Sequence, residues 1–157
     1  KNEVGKISII TIVKKKKNIH PEYVIFIRTG EFYRIYGKDA YIISNLFEYK
    51  IKKEQDIMTC GFPSKSLKKI EAKLEQKKIN YLLLDSKDNY TVNEIMDFKN
   101  LNTYEKQYEL SKIYVNNQIR IEKIYAILTQ NARKEQLKFL LKEIEEKIYA
   151  NRKIQSN

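Results

Sequence analysis

The feature that most constrains this chain is Val24-Ile25-Phe26-Ile27, an unbroken apolar run of β-branched and aromatic residues with Gly30 close behind it. A run this short, ended by a glycine, reads as a buried strand. Gly30 punctuates it, and an aromatic segment follows with Phe32, Tyr33, Ile35 and Tyr36. After Gly37 a helical pattern starts near Lys38. Residues 23–40 therefore predict a strand, a glycine-marked turn and a helix. The tip Gly30-Glu31-Phe32-Tyr33 gathers aromatics where side chains can reach a partner.

The neighbouring segments alternate in the same way. A helix over 38–48 has Ala40, Tyr41, Ile43, Leu46 and Phe47 as its apolar stripe. Tyr49 to Lys53 alternates apolar and basic residues, as a half-exposed strand does, and residues 54–56 are turn-like. A short strand over 57–60 stops at Gly61-Phe62-Pro63. A helix over 64–78 follows, with Ser64 or Ser66 as its cap and Leu67, Ile70 and Leu74 on one face. Strands are expected at 81–84 and 90–95, with a turn at 85–89. Residues 7–13, ISIITIV, favour a strand by propensity. Strands alternating with helices give an α/β (α+β) domain on a mixed β-sheet flanked by helices.

Beyond about residue 100 the character changes, and neither glycine nor proline occurs after Pro63. Two long amphipathic patterns follow, over 103–129 and 132–151, with a joint at Thr129-Gln130-Asn131. The second carries Leu137, Leu140, Leu141, Ile144 and Ile148 on one stripe. This predicts a C-terminal αα-hairpin and two parts, 1–100 and 101–157. Stripes of this kind either fill a core or dock a partner.

Two blocks carry a family resemblance. The first is His20-Pro21-Glu22, then the apolar strand, then Arg28-Thr29-Gly30-Glu31-Phe32-Tyr33-Arg34-Ile35-Tyr36 and Asp39-Ala40. The second is Cys60-Gly61-Phe62-Pro63, a helix, and Tyr81-Leu82-Leu83-Leu84-Asp85. In this order and spacing they resemble the N-terminal mismatch-recognition domain, domain I, of the MutS family of DNA mismatch repair proteins. The resemblance does not cover the C-terminal helices, and it favours a helix for residues 7–13. It implies that Phe32 is a wedge entering the DNA minor groove, where a mispaired base is cheap to unstack. The family sets a glutamate two residues after that phenylalanine. This chain has Arg34 there, which attracts any phosphate and so favours affinity over discrimination.

Charge points the same way. With 31 Lys and Arg against 20 Asp and Glu, the net charge is +11, which suits an anionic partner, nucleic acid first. An AT-rich genome is an equal source of so many lysines. The run Lys14 to Lys17 reads either as a solvated helix end, where lysines suit the dipole, or as a phosphate contact. Candidate nucleic-acid residues are Phe32, Arg34, Tyr33, Arg28, Lys65, Lys68, Lys69, Lys14 and Lys15. For Tyr33 a core or rim position competes with contact.

Other chemistry finds little support. One cysteine and one histidine do not make a zinc site, so no metal is expected. Four glycines, at 5, 30, 37 and 61, build no phosphate-binding loop, and no serine sits in a nucleophile elbow. No cofactor and no enzyme activity are expected. A lone Cys60 forms no internal disulfide, so the expected location is the cytoplasm, and no apolar run approaches a membrane span. Two functions remain. One is a non-catalytic module binding duplex or distorted nucleic acid, duplex DNA foremost. The other is an accessory subunit of a larger nucleoprotein complex, with helices 103–151 docking a protein partner.

Overall fold

The computed structural model of the chain describes residues 8–100 and 102–151. It divides into two units, which meet in sequence between Val115 and Asn116.

The first unit is built on a six-stranded mixed sheet. Its strands are β1 (Val24–Thr29), β2 (Phe32–Tyr36), β3 (Lys52–Glu54), β4 (Ile57–Pro63), β5 (Tyr81–Asp85) and β6 (Val92–Met96). Their order across the sheet is β3-β4-β2-β1-β5-β6. β1 and β5 run parallel, with Phe26 opposite Leu83, while the other neighbours are antiparallel. The apolar run Val24-Ile25-Phe26-Ile27 is thus a central strand, and all four residues are buried.

Helices cover both faces. α1 (Ile9–Ile19) seats Val13 on Ile25, Ile27, Tyr36, Leu82 and Leu84. The β-branched content of this segment yields to packing. Ser8 caps the helix by accepting from the Thr11 amide at 3.2 Å, and Lys16 and Lys17 stand in its last turn. Ile7 lies outside the described residues. On the opposite face Phe26 makes edge contacts with Tyr33, Phe62 and Tyr81. There α2 (Lys38–Phe47) and α3 (Leu67–Lys77) close the core, and Ile42, Ile43, Ile70 and Leu74 are fully buried.

Four local expectations change. The strand expected to stop at Gly61 runs on to Pro63, because Gly61, Phe62 and Pro63 pair with Arg34, Tyr33 and Phe32 of β2. The strand expected over 49–53 is confined to 52–54, because Ile51 turns inward and is buried. The helix expected from 64 opens as a 3-10 turn over Ser64–Ser66, and neither serine caps it. The Ser64 hydroxyl instead lies 3.2 Å from the Glu31 carboxylate at the β1–β2 turn. The last helix begins at 137 rather than 132.

One buried carboxylate joins four elements. Asp39 is 1% exposed. It accepts the Ile25 amide at 2.9 Å and pairs with Lys17 at 2.8 Å. The Tyr104 phenol donates to it as well. β1 and β2 pair no further than Ile27 and Arg34, so beyond that point Asp39 supplies the partner that the Ile25 amide would otherwise lack. Tyr104 lies in the first turn of α4 (Thr103–Gln130), whose Ser111 and Val115 are also buried. Tyr108 meets Tyr41 edge-on at 5.6 Å.

The second unit holds the end of α4, from residue 116, and α5 (Leu137–Ala150), joined by turns at 131–136. Leu128, Leu137 and Ile144 are half-buried, and most other side chains of this unit are exposed. Among the described residues no helix is long and apolar enough to cross a membrane.

Candidate nucleic-acid interface

The site is the β1–β2 hairpin and the strand beside it. Thr29 pairs with Phe32, so Gly30 and Glu31 form a two-residue turn. Gly30 has φ +64°, the glycine requirement at the first central position of a II′ hairpin. The Arg28 Nε donates to the Gly30 carbonyl at 2.9 Å and braces the turn.

The pairing register assigns the side chains to faces. Phe32, Arg34 and Tyr36 alternate onto the face that α1 covers, because Arg34 lies opposite Ile27. Tyr36 is packed under α1, but Phe32 lies beyond the helix and is 48% exposed. Gly61 on β4 stands opposite Arg34. A Cβ there would come 2.8 Å from the Tyr33 carbonyl oxygen and 3.5 Å from the Phe32 ring. Glycine therefore lets Phe32 lie over β4. A small cleft of about 110 Å³ opens beside the ring, lined by Phe32, Arg34, Lys50, Lys52, Thr59, Cys60 and Gly61. It pairs one aromatic face with three basic side chains, the combination that stacks on bases while holding phosphates.

One carboxylate enters this basic rim. Glu54 on β3 lies 3.4 Å from the Arg34 guanidinium, each side chain 40% exposed. A second, larger cleft of about 380 Å³ is lined by both members of the pair, with Ser8, Ile9 and Ile10 at the start of α1 and Thr29, Tyr36 and Gln55.

The candidates named from sequence separate on this framework. Phe32 and Arg34 come together. Lys14 and Lys15 are exposed on α1, on the same face of the sheet. Lys68 and Lys69 are exposed on α3, which lies over the other face, where Glu71 accepts from the Tyr81 phenol at 3.0 Å. Lys65 stands in the 3-10 turn just after Pro63, the residue opposite Phe32. Arg28 and Tyr33 pair with each other on the α3 face. Tyr33 is buried and stacked on Phe62 at 5.4 Å. Burial pushes its phenol up, with the Arg28 guanidinium drawing it back. Its ring is a core element, placed there by strand alternation.

Sequence reasoning missed Lys50, Lys52, Gly61 and Glu54 as parts of this rim. The alternation Tyr49-Lys50-Ile51-Lys52 was a usable signal for the two lysines. Nothing in the sequence connects Glu54 with Arg34.

With that geometry in view, the family model for MutS domain I matches residues 8–105. The match spans α1, the whole sheet and the first turn of α4. No curated protein matches the chain.

Proposed function

This chain belongs to the MutS domain I family, and we propose that it is a non-catalytic module that grips duplex or distorted DNA with Phe32 as its wedge. Family membership brings a DNA mismatch-recognition-like role, and MutS domain I is a recognition domain rather than a catalytic one. The observation that carries the finer reading is Phe32 itself. It is a large aromatic held half-exposed on a glycine-turned hairpin, next to Arg34, Lys50 and Lys52. An aromatic wedge needs a rigid base, and β2 gives one, paired on both edges. The lysines and arginine hold phosphates without reading sequence, and the wedge selects sites where a base step is cheap to open.

The test is binding of the chain to matched, mismatched and branched duplexes at two salt concentrations, for wild type and Phe32→Ala. The reading expects tighter binding to distorted duplexes in wild type. It expects Phe32→Ala to lose that preference while keeping affinity that falls with salt. A Phe32→Ala protein with an undiminished preference would remove the wedge from the account.

A second reading is favoured by a separate observation. Residues 116–150 leave Ile121, Ile124, Tyr125, Phe139 and Tyr149 exposed, more apolar surface than a solvated helix pair needs. Here the chain acts as an accessory subunit, with these helices docking a protein.

A further inference from the structure

We propose that residues 116–151 are one half of a four-helix bundle, completed by a second copy of this chain. This rests on the second unit alone and does not depend on the nucleic-acid reading. Two helices joined by six residues of turn bury little of each other. Leu128 of α4 and Leu137 of α5 are half-buried across an apolar notch of about 240 Å³ that Ile127 and Leu140 also line. Leu140, Leu141 and Ile148 remain exposed on α5, as do Ile121 and Ile124 on α4. Two helices give a seam, and four give a core.

The apolar spacing suits such a bundle. Leu137, Leu141, Ile144 and Ile148 recur at intervals of four, three and four, which is one a/d seam of a heptad pattern.

Charge selects a second copy over an unrelated partner. In a chain of net charge +11, α5 carries three lysines and three glutamates and is neutral. A neutral helix does not suit a phosphate backbone. Its charges are also sorted along its length. Residues 137–142 hold Lys138 and Lys142, whereas residues 143–150 hold Glu143, Glu145, Glu146 and a single lysine, Lys147. The two halves therefore carry +2 and −2. Such a helix is complementary to itself when run antiparallel, the arrangement that two-fold symmetry between identical copies provides. Lys138 then faces the acidic half of the second copy. Within its own chain it pairs with Glu135, an exposed contact one turn away, and lies 5.4 Å from the centre of the Phe139 ring. A two-fold contact repeats each attraction twice, so a modest pair energy sets the direction of packing.

The experiment is sedimentation of the full chain over a range of concentrations, for wild type and two charge variants. Wild type is expected to sediment as a dimer. Lys138→Glu with Lys142→Glu makes α5 acidic along its whole length, so the dissociation constant should rise about tenfold or more. Adding Glu145→Lys and Glu146→Lys to that variant restores opposite halves and should restore the dimer. Helix content followed by circular dichroism keeps misfolding apart from dissociation. A wild-type chain that remains monomeric overturns the proposal, including one whose helices capture a different protein instead. So does a dimer indifferent to the reversal, or one that the compensating pair fails to recover.

Discussion

The guanidinium of Arg34 and the carboxylate of Glu54 stand 3.4 Å apart, across the edge of the cleft that holds Phe32. An exposed pair of this kind is worth only about 0.2–1 kcal/mol, so incoming phosphate can compete for the arginine. Glu54 thus partly masks the Arg34 cation. Glu54→Gln should tighten binding to every duplex, matched or not, and steepen the dependence of log K on log salt by up to about 0.9 per phosphate gained. Arg34→Gln should flatten it by a similar amount. Titrations of both variants at several salt concentrations check this. Identical slopes in the two variants and wild type would remove Arg34 from the phosphate-binding surface.

Gly61 lets Phe32 lie over β4, and its replacement is the sharpest steric test. In Gly61→Ala the new methyl meets the Tyr33 carbonyl oxygen at 2.8 Å, a backbone atom in the β2–β4 ladder. The strands must separate locally, which costs roughly 1–3 kcal/mol for an overpacked site. Because Phe32 leans on the same point, the preference for distorted duplex should decline along with the urea midpoint. A variant with unchanged stability and unchanged preference would mean that β4 is free to shift and does not seat the ring.

The fold was legible where composition and periodicity agree. Val24 to Ile27 could only be a buried strand, and the turn at Gly30 followed from the residue type. That Phe32 and Arg34 would stand side by side was readable because one motif contains them both. Tyr33 could be assigned to the core only once the register was known, since alternation sends neighbours in a strand to opposite faces. Glu54 was invisible for a different reason. It comes near Arg34 only after β2, β4 and β3 pair, and no local pattern encodes that pairing. The α3 lysines resemble a binding face in sequence, yet Lys68 and Lys69 lie over the opposite side of the sheet from Phe32.

Tyr104 shows how far the folded domain reaches into α4. Its phenol donates to the buried Asp39, which Lys17 and the Ile25 amide also hold. Tyr104→Phe removes one donor from a charged, desolvated acceptor and should cost about 1.5–3 kcal/mol. Urea denaturation of the full chain measures it. A loss below about 0.5 kcal/mol would mean that the remaining partners satisfy Asp39 without the phenol.

The same region makes the domain sensitive to alkali. Burial, with Asp39 nearby, pushes the Cys60 thiol up to about 12 from 9.0. Burial likewise raises the phenols of Tyr104 and Tyr81, with Asp39 and Glu71 respectively adding to the shift. Each group keeps its proton in the folded chain at a pH where the unfolded chain has lost it. The native state then binds more protons, so stability falls as pH rises. For Cys60 the loss begins near its unfolded value of 9.0 and continues toward about 12, with a slope of at most about 1.4 kcal/mol per pH unit for each such proton. Urea midpoints at pH 7, 9 and 10.5 should be level between the first two and drop at the third. The thiol provides an independent check, since only thiolate reacts. Cys60 should resist thiol reagents at pH 8 in the native chain and label at once when the chain unfolds. Rapid native labelling, or a midpoint that holds at pH 10.5, would place Cys60 in a more open environment than the β2–β4 core.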